Sequence, residues 1–156
     1  MMIIKTREGE EIIVDDDDFA ELSKSIWHLS RGYARRYMRN ESGERVALLM
    51  HRQIMGLSNA DARIEVDHIN GNKLDNRRQN LRVCTHAENQ RNRGALSNNK
   101  CGYKGVHQRR DTNKFEAQIK YMGRIKKLGC FDNPELAHEM YCLAADMLHG
   151  SFSRHA

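Results

Sequence analysis

The stretch from Val66 to Arg93, VDHINGNKLDNRRQNLRVCTHAENQRNR, constrains this chain more than any other. Ile64 and Val66 form a short apolar approach that ends in the adjacent polar pair Asp67 and His68. Asn70-Gly71-Asn72 follows, a turn signal because Asn and Gly both tolerate positive φ. A second short strand, Leu81-Arg82-Val83-Cys84, is entered through Asn80. Thr85 with Glu88 three residues later makes a capping box, which starts a helix about one turn before Asn89. The order strand, long turn, strand, helix directs polar side chains from three elements toward one place.

These residue types suit hydrolysis of a phosphodiester, which needs an activated water, charge relief at the phosphoryl oxygens and help for the leaving oxygen. A histidine that titrates near neutrality serves as the base, contributing roughly 10²–10⁴-fold. Carboxylate and amide-carbonyl oxygens suit a hard divalent ion such as magnesium or manganese. Asp67 and Asn89 supply one such oxygen each, and Asn80 can hold the His68 imidazole in its working tautomer. His86, on the same helix face as Asn89, is a rival ligand that suits a place nearer the phosphate.

Asp67-His68, Asn80-Leu81-Arg82 and Glu88-Asn89-Gln90-Arg91-Asn92 together resemble the His-Asn-His (HNH) nucleases of the ββα-metal fold. The likeness is to the phage and intron-borne homing type, whose third motif position is Asn. The resemblance implies His68 as general base, Asn80 as its orienter and Asp67 with Asn89 as ligands to one Mg²⁺ or Mn²⁺. It also implies double-stranded DNA as substrate, with Arg35, Arg82, Arg91 and Arg93 near the phosphates. A phage- or mobile-element-encoded protein working in a bacterial cytoplasm would follow. Two alternatives stay open: a DNA-binding regulator with a degenerate nuclease fold, and a low-specificity phage nuclease for packaging or host DNA degradation.

Composition sets the outer limits. The 156 residues are 39% hydrophobic and 30% charged, which allows one ordinary domain or a few very small ones with thin cores. No run of 18 apolar residues and no signal-peptide pattern follows Met1, so neither membrane insertion nor secretion is expected. Cys84, Cys101, Cys130 and Cys142 stand alone without a CxxC pair. That pattern fits a reducing cytoplasm and predicts no structural zinc. The net charge of +5 is unevenly placed: residues 1–66 hold 10 basic and 12 acidic side chains, residues 67–99 hold 6 and 3, and residues 100–156 hold 10 and 6. A polyanion would be gripped by the later segments.

In chain order, Ile3-Ile4 and Ile12-Ile13-Val14 predict a hairpin turning at Glu8-Gly9-Glu10. Asp15 to Asp18 precede Phe19, Leu22 and Ile26 at helical spacing, with the acidic run offsetting the helix dipole. Arg31 to Arg39 interleaves Arg with Tyr33 and Tyr37, a strand suited to phosphate and stacking contacts. Val46 to Leu57 reads as a strand running into a buried helix that carries His51, a residue read as structural.

Ser97 to Lys100 is a polar linker. Beyond it, residues 103–108, 114–120 and 124–131 read as three strands, and Asn133-Pro134 caps a helix with Leu136, Met140, Tyr141, Ala144 and Leu148 in one stripe. This segment resembles the Apetala/ethylene-response DNA-binding domain in Tyr103-Lys104-Gly105-Val106, Phe115 to Ile119, Leu128 to Phe131 and Ala137 to Ala145. The resemblance implies a sheet lying in the major groove, with contacts from Lys104, His107, Arg109, Lys120 and Lys127. The expected chain is therefore α+β in three modules, 1–58, 59–96 and 97–156, and monomeric.

Overall fold

The N-terminal apolar residues form a hairpin, β1 (Met2–Lys5) and β2 (Glu11–Val14), paired antiparallel with Met2 opposite Val14. Its turn passes through Gly9 at φ +97°, a conformation glycine adopts without steric cost. The computed structural model describes residues 1–57, 63–95, 99–153 and 155. The chain divides into two compact units, Met1–Asn89 and Gln90–Ala156. Both are α+β, built from short helices and small antiparallel sheets. Among the described residues no helix is long and apolar enough to cross a membrane.

In the first unit, α1 (Asp16–Leu22) carries Asp16, Asp17 and Asp18 in its first turn, where negative charge offsets the positive end of the helix dipole. The spacing predicted a helix reaching Ile26, but it stops at Leu22 and Ile26 is 72% exposed. Trp27 takes the core place instead, 1% exposed, with its indole N–H donating to Leu22 O at 2.8 Å. At the helix end Leu22 O thus takes the indole as well as Ser25 N, the latter at 3.3 Å. Three strands follow, β3 (His28–Ser30), β4 (Tyr33–Arg39) and β5 (Arg45–Leu49), antiparallel in the order β3-β4-β5. The chain then turns into α2 (Met50–Ile54), closed by Gly56 at φ +68°.

The second pair, β6 (Glu65–His68) and β7 (Leu81–Cys84), is antiparallel with Asp67 opposite Arg82 and His68 opposite Leu81. A 3-10 turn at Arg78–Asn80 leads into β7, and α3 (His86–Arg91) follows it. Ile4, Ile12, Val14, Leu22, Trp27, Ala34, Met50, Ile54, Val66 and Leu81 make one buried cluster. The elements before residue 58 and the β6–β7 pair thus share a core. The expected module boundaries at 58/59 and 96/97 fall on or beside residues 58–62 and 96–98, which lie outside the described residues.

Main-chain bonds reinforce that union. Ile13 N donates to Leu74 O at 2.9 Å, and Asn76 N donates to Ile13 O at 2.8 Å. The acidic run also serves the later turn: Asp15 accepts from Arg78 N at 2.7 Å, and Asp18 takes both prongs of the Arg78 guanidinium at 2.9 and 2.7 Å.

In the second unit β8 (Val106–Gln108), β9 (Phe115–Tyr121) and β10 (Arg124–Phe131) form an antiparallel sheet in the order β10-β9-β8. The helix α4 (Pro134–His149) packs on it, with Asn133 accepting from Leu136 N at 2.8 Å and Pro134 opening the first turn. The helix buries Ala137, Tyr141 and Ala145, while Leu136 and Met140 from the expected stripe are 49% and 38% exposed. Small residues face the sheet because they let the helix approach closely. Gly105, at φ +76°, shows how closely: a Cβ there would lie 2.0 Å from Tyr141 Cδ2. In β10 the register shifts between Lys127 and Gly129. Leu128 packs against the core, and Lys127 lies on the face away from α4 with Glu116.

Candidate active site

Strand alternation on β6 puts Glu65 and Asp67 on one face and Val66 and His68 on the other. Asp67 is 5% exposed, and its Oδ2 takes Arg82 Nε at 2.8 Å and Nη2 at 2.6 Å. Cross-strand register fixes this ion pair, since the two residues are direct partners. Beside it, Glu65 accepts from Asn89 Nδ2 at 2.6 Å and meets His86 Nδ1 at 2.7 Å. Burial pushes the Glu65 carboxyl up, but those two bonds outweigh it and hold it below the usual range. The helix α3 is placed for this contact by its capping box, with Thr85 N and Oγ1 both donating to Glu88 Oε2 at 2.8 Å.

His68 is 4% exposed, and its Nε2 lies 3.4 Å from Asn76 Oδ1. The His51 ring stands edge-on to it with centroids 5.1 Å apart, and the Tyr33 ring is 5.9 Å away. Burial lowers the His68 pKa, opposed by the Asn76 bond and the Asp67 charge. His51 is pushed down to about 3, by burial first and then by repulsion from His68 and Arg52. Both imidazoles are therefore neutral at physiological pH.

Asn80 is buried, and its side chain is spent on the long turn. Its Oδ1 accepts from Asn70 N at 3.0 Å, and its Nδ2 donates to Asp75 O at 2.7 Å. Its own carbonyl accepts from Ile69 N at 2.9 Å. The amide that faces the His68 ring is thus Asn76, and Asn80 grips the backbone immediately after His68. Asp75, 2% exposed, completes the loop by binding Arg77 at 2.7 and 2.6 Å and Asn70 Nδ2 at 2.9 Å.

The first unit accordingly gathers Asp67, His68, Asn80, Arg82 and Asn89, but Arg82 is committed to Asp67. Arg35 lies on β4 over the Tyr37 ring at 4.8 Å. In the second unit, Arg93 donates to Gln90 Oε1 at 2.9 Å, and the Arg91 carbonyl accepts from Lys104 Nζ at 2.5 Å. Lys104 also lies 5.9 Å from the Tyr141 ring, on the α4 side of the sheet. His107, Arg109 and Lys127 come together on the opposite face around Glu116, and Lys120 is exposed on β9.

Sequence reasoning missed Glu65 and Asn76, and it read Tyr33 for phosphate and stacking contacts without placing it beside His68. Glu65 was legible as the residue two before Asp67 on a strand. Asn76 carried no signal, because its neighbours read only as a polar turn.

Among the described residues no three His, Cys, Asp or Glu side chains cluster as a ready metal cage. The oxygen donors of Asp67 and Asn89, with Glu65 adjacent, fit a hard divalent ion that keeps water and phosphate in its remaining positions. They do not suit zinc, whose closed sites take nitrogen and sulfur.

Comparison with known proteins gives a family match and a relative. The family model described as HNH endonuclease matches residues 59–91. An uncharacterized HNH endonuclease of Acanthamoeba polyphaga mimivirus is 31% identical over 149 residues, covering 93% of this chain and 74% of the relative. No solved structure matches. A strand–turn–strand–helix carrying Asp67, His68, Asn80 and Asn89, inside a match that runs over nearly the whole chain, has one reading: the protein belongs to the HNH endonuclease family.

Proposed function

We propose that this nuclease cleaves double-stranded DNA in a metal-dependent reaction at the β6–β7–α3 site. The observation that carries the reading is that one compact unit holds Asp67 and His68 at the end of β6, Asn80 at the entry to β7 and Asn89 on α3. His68, kept neutral by burial, removes the proton from the attacking water. Asn80 fixes the main chain just after His68, so it orients the base through the backbone, while Asn76 meets the ring directly. Asp67 and Asn89 would hold one Mg²⁺ or Mn²⁺, which supplies charge relief at the phosphate when bound. The expected products carry a 3′-hydroxyl and a 5′-phosphate.

The outer face of the C-terminal sheet, with His107, Arg109, Lys120 and Lys127, grips the duplex in the manner of the Apetala/ethylene-response domain. A chain with a cutting unit and a separate gripping unit suits a homing-type nuclease of a phage or mobile element. The test is incubation with supercoiled plasmid with and without magnesium, followed by end-labelling of the products. Magnesium-dependent nicks with 5′-phosphate ends are expected. Cutting that survives exhaustive chelation, or no cutting with either magnesium or manganese, overturns the reading.

A further inference from the structure

The face of the C-terminal sheet turned away from α4 carries an acidic residue beneath its basic ones. Glu116, on β9, has a side chain only 5% exposed. Its direct partner across β8 is His107, whose Nε2 lies 3.6 Å from Oε2. Arg109 Nη1 lies 4.0 Å from the same oxygen, and Lys127 Nζ lies 2.9 Å from Oε1. The three basic heads cover the carboxylate and remain open to solvent themselves, at 45%, 36% and 71% for His107, Arg109 and Lys127.

The pairing is electrostatic more than it is a set of good hydrogen bonds. Glu116 Oε1 receives no well-aligned donor despite the short approach of Lys127. Lys127 holds the carboxyl below the usual carboxylate range against the opposing pull of burial, so it is charged at neutral pH. Arg109 is shared further, with Asp111 taking its guanidinium in a bidentate pair. A cation that must leave an internal carboxylate to neutralise a DNA phosphate gives up one ion pair to make another, so it displaces fewer of the counterions condensed on DNA, whose release drives sequence-independent binding.

We propose that Glu116 is a specificity-determining residue: it stands in for a DNA phosphate beneath His107, Arg109 and Lys127 and so weakens their hold on duplexes of arbitrary sequence. The inference rests on reading this sheet as a DNA surface. Where the target site places a phosphate or base edge correctly, the heads gain more than they lose by leaving the carboxylate. Elsewhere the internal partner competes, which is discrimination by an unfavourable alternative.

The test measures binding of the full chain to a random-sequence duplex in metal-free buffer across a salt series. Glu116→Gln, which keeps the shape and removes the charge, should bind several-fold tighter at low salt. The slope of log affinity against log salt should steepen by about 0.9 for each cation released. Lys127→Met should flatten the slope by clearly less than about 0.9 in the natural sequence and by about 0.9 beside Glu116→Gln. The first half of that comparison stands even if Glu116→Gln fails to fold, because it needs only Lys127→Met. A slope unchanged or shallower in Glu116→Gln, or a full loss from Lys127→Met in the natural sequence, overturns the proposal. Neutralising His107, Arg109 and Lys127 together beside Glu116→Gln tests the underlying reading separately: affinity unchanged from Glu116→Gln alone means that this face does not touch DNA.

Discussion

Asp67 and Arg82 are cross-strand partners whose charged groups meet at 2.6 Å, with side chains only 6% and 14% exposed. The carboxylate we propose as a metal ligand is thus already paired with a guanidinium. Removing one partner of so buried a pair strands the other charge, at a cost of roughly 3–5 kcal/mol. Arg82→Met should lower the melting temperature in EDTA, and magnesium should restore more stability to the variant than it adds to the natural protein. Equal shifts with magnesium in both would show that Asp67 does not bind the ion.

His68→Ala should reduce plasmid cleavage by roughly 10²–10⁴-fold while gel-shift affinity for DNA stays within a few-fold. Phosphate contacts come from other side chains, and losing the base leaves them in place. A variant that still cuts at close to the natural rate would remove His68 from the reaction.

His51 predicts a pH dependence of stability. Its folded pKa of about 3 lies below the ordinary 6.5. Between those values the unfolded chain takes up a proton that the folded chain refuses, so stability is present above pH 6.5 and is lost as pH falls toward 3. Each unit of separation is worth about 1.4 kcal/mol. His51→Gln should show a flatter fall than the natural protein in urea unfolding from pH 7 to pH 4. Parallel curves would mean that His51 is not the group responsible.

Gly105→Ala places a methyl against the Tyr141 ring at a positive φ. Overpacking costs about 1–3 kcal/mol, and the left-handed backbone adds roughly 1–2 kcal/mol for an L side chain. Thermal unfolding should show the C-terminal unit melting earlier, with the Trp27 fluorescence transition of the first unit little changed. A single unshifted transition would contradict the packing.

Plasmid cleavage should pass through an accumulating open circle before linear product appears. One base and one metal site serve one phosphodiester, and cutting both strands at once needs a second copy. Prompt linearisation at first order in protein would point to a dimer instead.

Much of the site was legible because its signals are local. Asp67-His68 ends an apolar run, Asn-Gly marks a turn, and Thr85 with Glu88 starts a helix; the structure places all three as the residues suggest. The strand at 124–131 was read to the residue, while the first strand of that sheet begins at Val106 instead of Tyr103. Side-chain partners were far less legible. Nothing in the spacing says that Asn80 binds the loop while Asn76 meets His68, since both are asparagines in one polar turn. The α4 stripe was legible in part: Tyr141 is buried with Ala144 and Leu148 packed beside it, while Ala137 and Ala145 fit against the sheet where Leu136 and Met140 stay exposed.

The stitching of Ile13 to Leu74 and Asn76 has a consequence for how the protein is made. Chains fold from the N-terminus as they leave the ribosome, so the β1–β2 hairpin is finished some sixty residues before the turn that docks on it. The hairpin waits as an unfilled edge until the turn after Asp67-His68 emerges and closes against it. On the site proposed above, nuclease capability would therefore arrive late in synthesis, once the segment through Asn89 has emerged.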